Sequence, residues 1–224
     1  QVEGTSKIEK IVTGVTASQA LVDAAIEANA DALIVHHGYF WKGESQAVTG
    51  MKKRRLSTLL ANDLNLFAYH LPLDVHPEFG NNRQLASILD IQNISAVSSV
   101  KPVGVVMQGN LEEATEGVAL QAKLKQLLGR DVLIEGPASK LISSLAWCTG
   151  GGQGFIEQAV DLGVDAFITG EVSEQTVHTA REMGITFFAA GHHATERYGV
   201  KSLGEHIAQQ FDVHVEFIDI NNPA

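Results

Sequence analysis

Short apolar runs of strand character alternate with helical segments along almost all of the 224-residue chain. The first unit is an expected strand over 8–15, a helix over 19–30 and a second strand over 32–35. Consecutive apolar residues are typical of a strand buried on both faces of a parallel sheet, and a strand–helix–strand unit makes its two strands parallel with a right-handed crossover. The pattern therefore predicts an α/β fold with mixed or mostly parallel sheets.

The remaining elements continue this alternation. Helices are expected over 51–63, 83–89, 111–128, 155–162, 174–183 and 195–211. Strands are expected over 66–70, 103–107, 131–134, 141–148, 166–169, 186–190 and 213–218. Pro72 and Pro77 predict an extended loop that stops any helix after 66–70, and Asn81 and Asn82 are the expected N-terminal cap of the helix over 83–89.

One polar turn, over 95–101, marks a boundary inside the chain. We expect one lobe formed by 1–98 together with 192–224, which carries most of the candidate site residues, and a second lobe formed by 99–191. The stretch 30–34 (Ala-Asp-Ala-Leu-Ile) also resembles 164–168 (Val-Asp-Ala-Phe-Ile), which indicates a weak internal duplication.

Composition excludes several classes of protein. Hydrophobic residues make up 45% of the chain and charged residues 19%, which is typical of a globular protein and not of a disordered one. No apolar run approaches the roughly 18 residues of a membrane span, and no secretory signal opens the chain. The single cysteine, Cys148, excludes an internal disulfide and fits a reducing compartment, so we expect a cytoplasmic protein without membrane association.

The formal net charge of −10 argues against broad binding to a nucleic-acid backbone, which needs clustered lysine and arginine. The one dense basic cluster is 52–55, Lys-Lys-Arg-Arg. Two interpretations of it stay open, a solvated helix face and a patch that contacts phosphate. Nucleic-acid handling is therefore the least favoured function.

Histidines and carboxylates follow expected strands at four places in the chain: Glu171 comes after 166–169, and the other three places carry five candidate side chains. The adjacent His36 and His37 follow 32–35, Asp74 follows 66–70, and His192 with Glu196 follows 186–190. His192 and Glu196 are four residues apart, which is one helical turn. Because parallel strands end at the same edge of a sheet, where open α/β sheets bind their ligands, these five side chains are the candidate site residues.

A set of imidazoles and carboxylates suits zinc, iron or manganese better than calcium or magnesium, which prefer oxygen ligands alone. Carboxylates can bridge two ions, and two metals about 3.5–4 Å apart can activate a water molecule for hydrolysis. The alternative for His36 and His37 is a pair of ordinary loop histidines. His70 and His76 are expected to support the site rather than bind metal. The spacing favours His192 over His193 as a ligand, and the remaining histidines are expected outside the site: His178, His206 and His214.

The glycines over 150–152 leave two interpretations open, a nest of backbone N–H groups that binds an anion and a tight strand-to-helix turn. The run lacks the lysine of a P-loop and the acidic partner of a dinucleotide fingerprint. Cys148 lies in an expected apolar strand and is interpreted as an inert core thiol. No Gly-x-Ser-x-Gly elbow occurs, so serine-based hydrolysis has no support.

Five motifs resemble the Nif-three-like family, whose members are often labelled GTP cyclohydrolase I type 2 homologues, and within it the bacterial YbgI type. They are His-His-Gly-Tyr-Phe-Trp (36–41), His-Leu-Pro-Leu-Asp (70–74), Ala-Trp-Cys-Thr-Gly-Gly-Gly (146–152), Asp-Ala-Phe-Ile-Thr-Gly-Glu (165–171) and Gly-His-His-Ala-Thr-Glu (191–196). The resemblance covers almost the whole chain in order, is loosest over 95–140, and implies that residues precede Gln1. Many relatives carry Gly-Asp where this chain has Gly170-Glu171.

The resemblance implies two interlinked α/β lobes, a dinuclear metal centre and a toroidal homo-oligomer, a hexamer. It places the metal ligands on His36, His37, Asp74, His192 and Glu196. Because these five ligand-type residues lie at successive strand ends, we expect a metal-dependent hydrolase that acts on a small molecule. The resemblance does not establish GTP as the substrate, and no catalytic residue is assigned. The alternative is a non-catalytic metal-binding ring protein with an interaction or regulatory role.

Overall fold

The computed structural model describes residues 1–224 and confirms the α/β class. The strands are β1 Lys10–Thr16, β2 Ala32–His37, β3 Asn65–Ala68, β4 Gln92–Ala96, β5 Met107–Glu116, β6 Leu133–Glu135, β7 Leu141–Cys148, β8 Ala166–Thr169, β9 Thr186–Ala189 and β10 His214–Phe217. The helices are α1 Gln19–Glu27, α2 Gly50–Ala61, α3 Leu71–Asp74, α4 Asn81–Ile88, α5 Gly117–Leu128, α6 Ile156–Leu162, α7 Glu174–Met183 and α8 His192–Gln210, with a 3₁₀ turn at Gln153–Phe155. None of these helices has both the length and the apolar character needed to cross a membrane.

The chain divides into two compact units. The first unit comprises Gln1–Leu73 and Gly199–Asn221, and the second comprises Asp74–Tyr198 and Asn222–Ala224. Each unit therefore draws on separate segments of the chain. The lobes expected from the sequence, 1–98 with 192–224 and 99–191, have other boundaries and remain a proposal.

The first unit is built on a parallel sheet of four strands in the order β10-β1-β2-β3. The parallel pairing of β1 with β2 confirms the strand–helix–strand unit predicted for the start of the chain. Neighbouring residues of β2 pack into two different apolar clusters: Leu33 and Val35 into one, and Ala32 and Ile34 into the other. Since side chains alternate between the faces of a strand, both faces of the sheet are covered, which explains the uninterrupted apolar run.

The second unit contains a mixed sheet of six strands in the order β4-β5-β7-β8-β9-β6. Strands β7, β8 and β9 are parallel, and the other three pairings are antiparallel. The same alternation separates Trp147 from Cys148 and Phe188 from Phe187, so this sheet also has an apolar cluster on each face. Its central parallel strands are completely buried and end where the candidate residues of this unit begin.

Asp165, just before β8, ties the start of that strand to β7. Its carboxylate accepts hydrogen bonds from the backbone N–H groups and hydroxyls of Ser143 and Ser144 at 3.0–3.1 Å, and the Lys140 ammonium lies 3.2 Å away. Burial opposes ionisation of this carboxyl, but the hydrogen bonds outweigh burial and lower its pKa well below the usual range.

The largest difference from the expected elements lies before α5. The sequence predicts a helix over 111–128, whereas residues up to Glu116 continue β5 and the helix begins at Gly117. Thr115 and Glu116 pair with Ile142 and Leu141 of β7, so sheet pairing overrides the helix propensity of the Leu-Glu-Glu-Ala segment. The strand expected over 103–107 starts only at Met107, and the polar edge strand β4 was not expected.

The segment after β3 also differs. Leu71–Asp74 forms a helical turn where an extended loop was expected, because a proline in the first turn removes only an N–H group that would lack a helical partner. Helix α4 begins at Asn81 after the cap residue Gly80, so Asn81 and Asn82 are helical residues and not its cap. Their buried side chains are available for contacts at the candidate site.

Candidate functional site

Three histidines form an imidazole cluster in the first unit. His36 and His37 are the last two residues of β2, and His70 follows β3. One ring nitrogen from each of the three lies within 4.8 Å of the others. The ring centroids are 4.6 Å apart for His36 and His37, 4.9 Å for His36 and His70, and 5.3 Å for His37 and His70.

The neighbouring strands orient two of these rings. The Nδ1 atom of His36 is 3.0 Å from the carbonyl oxygen of Tyr69, and Nδ1 of His37 is 3.0 Å from Oγ1 of Thr16. A carbonyl oxygen only accepts, so Nδ1 of His36 carries the proton, and in the neutral ring Nε2 then carries the lone pair. His36 is completely buried, which holds that orientation.

An aromatic loop flanks the imidazole cluster. The Trp41 ring packs edge-to-face on His70 with the centroids 4.7 Å apart. Lys52 fastens this loop, because its ammonium lies 3.1 Å from the Ser45 carbonyl oxygen, 3.4 Å from the Glu44 carboxylate and 4.9 Å from the centre of the Phe40 ring. Lys52 is therefore engaged within the unit, whereas Lys53 and Arg54 of the same cluster are exposed on helix α2, in agreement with a solvated helix face.

The second unit holds a mixed cluster of Asp74, His192 and Glu196. The Nε2 atom of His192, the first residue of α8, is 3.2 Å from Oε2 of Glu196 one turn later, which confirms that the two share a face. A carboxylate oxygen of Asp74 lies within 4.8 Å of one of Glu196. The exposed fractions are 8% for Asp74 and 3% for Glu196, so two carboxyl groups lie close together in a buried place.

Glu171 holds the other side of the His192 ring. Its Oε1 atom is 2.7 Å from Nδ1 of His192, and its Oε2 atom accepts a hydrogen bond from Nε2 of Gln153 at 3.1 Å. The pKa of His192 is raised to about 9, and the largest cause is the hydrogen bond with Glu196. Burial lowers this pKa in part, and the hydrogen bond with Glu171 raises it further. The two carboxylates therefore favour the positively charged form of the His192 ring.

The glycine-rich turn after β7, residues 149–152, packs against the mixed cluster. The N–H groups of Thr149, Gly150 and Gly152 donate to side-chain oxygens of Asn82, Thr195 and Thr169 at 2.9–3.0 Å. Donors that already have partners cannot form an anion nest, so the structure supports the interpretation as a tight turn. Gly150 has a φ of +67°, and a Cβ atom there would collide with the Glu196 carboxylate, which explains the glycine.

Two other side chains in this unit have structural roles. Asn81 donates to the Asp74 carboxylate at 2.9 Å and so orients it. Cys148 is buried, and burial, with smaller effects from Asp74 and Glu196, raises the pKa of its thiol to about 12. The thiol stays protonated at neutral pH, in agreement with its interpretation as an inert core residue.

The donor atoms in both clusters suit a divalent transition metal ion. Imidazole nitrogens and carboxylate oxygens are the ligands that zinc, iron and manganese accept together, and a cation would stabilise the ionised form of the two buried carboxyl groups of the mixed cluster. The structure adds two residues to those favoured from the sequence: His70, whose ring joins His36 and His37, and Glu171, which contacts His192. His70 is the last residue of the expected strand 66–70 and Glu171 follows the expected strand 166–169, and these positions were the available signal.

Known proteins resemble this chain over nearly its full length. A family model described as Duf34/NIF3 (NGG1p interacting factor 3) matches residues 1–223. A Yersinia pestis protein named GTP cyclohydrolase 1 type 2 homolog is 58% identical over 225 residues, which cover 100% of this chain and 89% of the relative. An Escherichia coli protein of the same name is 56% identical over 225 residues with the same coverage.

Two solved structures are also similar to this chain over its full length. A structure described as protein ybgI, of unknown function, superposes with a TM-score of 0.92 at 55% identity and covers 100% of this chain and 89% of that one. A crystal structure of a Thermus thermophilus protein superposes with a TM-score of 0.91 at 33% identity and covers 100% and 88%.

Proposed function

Because this chain belongs to the DUF34/NIF3 family, we propose that it is a metal-dependent hydrolase in which His36, His37, Asp74, His192 and Glu196 bind two divalent ions of zinc, iron or manganese. The observation that carries the proposal is the mixed cluster, in which two buried carboxylates and an imidazole converge. A bound cation would stabilise the ionised form of both carboxyl groups.

The chain's own residues would hold and orient such ions. In the imidazole cluster, the bond from Nδ1 to the Tyr69 carbonyl leaves Nε2 of His36 as the ligand atom. In the mixed cluster, Asn81 orients the Asp74 carboxylate. When bound, a divalent ion would lower the pKa of a water molecule and so supply a hydroxide nucleophile at neutral pH.

Access for a small substrate exists in the second unit. The side chains of His192 and Glu171 are 29% and 43% exposed. Glu171 also lines a cavity of about 790 Å³, together with Arg130, Asp131 and Val172. GTP is the first substrate to test because the relatives are named as GTP cyclohydrolase homologues, and other cyclic amides, amides and phosphoesters form the rest of the screen.

A homo-oligomer, a hexameric ring in particular, is part of the same proposal. Helix α2 leaves Met51 and Leu60 exposed at 56% and 61%, and such apolar side chains suit contacts between protein subunits. Sedimentation or light scattering tests it, with a hexamer of 24.0 kDa chains as the expected result.

Elemental analysis of anaerobically purified protein tests the metal assignment. We expect two equivalents per chain in the wild type and in a matched control, His178→Ala, which alters an exposed histidine of α7. His36→Ala tests the imidazole cluster and His192→Ala the mixed cluster. Loss of both ions in either variant would indicate shared ions, and loss of one in each would indicate separate sites.

The outcomes also separate the two functions. Turnover of any substrate in the screen that disappears in both variants would support the hydrolase. Metal binding without turnover across the screen would favour the non-catalytic ring protein. A wild-type protein that holds no metal and takes up none on reconstitution would contradict the ligand assignment itself.

A further inference from the structure

Glu171 is not one of the five predicted metal ligands, yet its carboxylate contacts one of them, His192. We propose that Glu171 is a positioning residue that fixes the ring of His192 so that Nε2, and not Nδ1, is presented to a metal ion. This inference rests on the proposed function, because it concerns the same ion-binding residues.

The two ring nitrogens of His192 have different partners. Nδ1 lies 2.7 Å from Oε1 of Glu171, and Nε2 lies 3.2 Å from Oε2 of Glu196 in the mixed cluster. An ionised carboxylate only accepts, so Nδ1 is the donor in the bond to Glu171. While Glu171 holds the proton on Nδ1, a metal ion can displace only the proton that Nε2 shares with Glu196, so Nε2 is the nitrogen that can bind metal, on the side of the ring where Asp74 and Glu196 converge.

Glu171 is itself held in place, which a positioning residue needs. Gln153 donates to its second oxygen at 3.1 Å. The preceding residue, Gly170, is fixed on both sides: its N–H donates to the Gly150 carbonyl at 2.8 Å, and its own carbonyl accepts from the N–H of Gly191 at 2.9 Å. The backbone that carries Glu171 is thus tied both to the glycine-rich turn and to the residue just before His192.

The glycine-rich turn leaves room for this contact. A Cβ atom on Gly151 would lie 3.6 Å from Cε1 of His192 and 3.7 Å from the Glu171 carboxyl group, so the turn packs against the imidazole and the carboxylate together. An ordinary surface ion pair is the competing explanation, since Glu171 is 43% exposed and exposed pairs contribute little. The two explanations differ in whether metal affinity depends on Glu171.

The decisive experiment measures the Zn²⁺ dissociation constant by competition with a chromophoric chelator. Glu171→Ala removes the acceptor and is expected to weaken Zn²⁺ binding roughly 10–100-fold, as losses of such outer partners do. Glu171→Gln keeps an acceptor oxygen and should lose less than about tenfold. Glu174→Ala is the matched control, because it removes an exposed carboxylate three residues away and should leave the dissociation constant unchanged.

A second measurement reads the orientation without any metal. In the NMR spectrum of the metal-free wild type we expect an exchange-protected Nδ1–H proton of His192, absent in Glu171→Ala and restored in Glu171→Gln. Wild-type Zn²⁺ affinity and a retained Nδ1–H signal in Glu171→Ala would overturn the inference and leave the proposed function standing. A wild type that binds no Zn²⁺ would overturn both.

Discussion

Replacing Asn82 with alanine should destabilise the second unit strongly, although this residue touches no candidate ligand. The side chain is buried and makes three hydrogen bonds. Its Nδ2 donates to the carbonyl oxygens of Gly104 and Val105 at 2.9 and 3.0 Å, and its Oδ1 accepts from the N–H of Thr149 at 3.0 Å. It therefore joins α4 to the loop before β5 and to the glycine-rich turn.

The expected magnitude follows from what the substitution leaves behind. The Thr149 N–H group is buried and loses its acceptor, which costs about 1–3 kcal/mol. Two carbonyl groups lose a donor, and the one at Val105 is only partly buried, so water can replace part of the loss. We expect the free energy of unfolding to fall by about 3 kcal/mol.

Urea unfolding followed by tryptophan fluorescence measures this change. Trp147 is completely buried and donates to the backbone carbonyl of Asn82, so it reports on the same unit. A Trp41→Phe background makes it the only tryptophan. The control is Asn110→Ala, the same chemical change at an exposed position, which should stay within about 0.5 kcal/mol of the background.

The reasoning would be refuted if Asn82→Ala behaved like Asn110→Ala, with a loss below about 1 kcal/mol and an unchanged dependence on urea. Such a result would mean that water or a small backbone shift satisfies the three partners. A large loss of stability accompanied by normal metal content would instead show that the turn keeps its shape while the unit as a whole is weakened.

Two further predictions concern a glycine and a carboxylate. Gly150→Ala should cost more than the roughly 1 kcal/mol of a left-handed backbone and should also lower metal content, because its Cβ would press on the mixed cluster. Gly184→Ala, with a φ of +69° and open space around it, should show the backbone cost alone; equal losses of stability with full metal content in both would contradict the steric explanation. Asp165→Asn should lower stability at neutral pH by about 1 kcal/mol after allowance for exposure, and since the folded-state pKa is depressed, the difference should begin to shrink as the pH falls below about 4 and close only at the lower folded-state pKa. Urea unfolding at about pH 7, 5 and 3.5 measures it, and a difference independent of pH would refute the assignment.

The elements of the fold were predictable where the burial of apolar side chains, rather than the intrinsic helix or strand propensity of the residues, determines the secondary structure. The apolar runs behind β2, β8 and β9 are fully buried parallel strands, and the expected bounds of β7, β8 and α7 agree with the structure. The family resemblance, stated on motifs at the ends of such strands, is confirmed. Prediction was wrong for Leu111–Glu116, whose helix-forming composition gives way to pairing with β7, and it missed the polar edge strand β4.

The candidate site was predictable in part for the same reason. His192 and Glu196 lie four residues apart, and one helical turn brings their side chains together as expected. His70 and Glu171 have no helical spacing of this kind, and only their positions at the ends of expected strands indicated them. Each contacts its partner across at least 21 positions of sequence, and only the alignment of neighbouring strands creates those contacts.

The sequence by itself determined the class of the fold, the identity of the donor atoms and the strand ends that carry them, because strand burial and helical spacing are local properties. Tertiary structure decided the environment of those atoms. Two carboxyl groups became a buried, closely spaced pair, the Gly150 turn became their support, and Glu171 became the partner of His192. Charge compensation and ring orientation depend on distances between remote segments, and packing alone determines those distances.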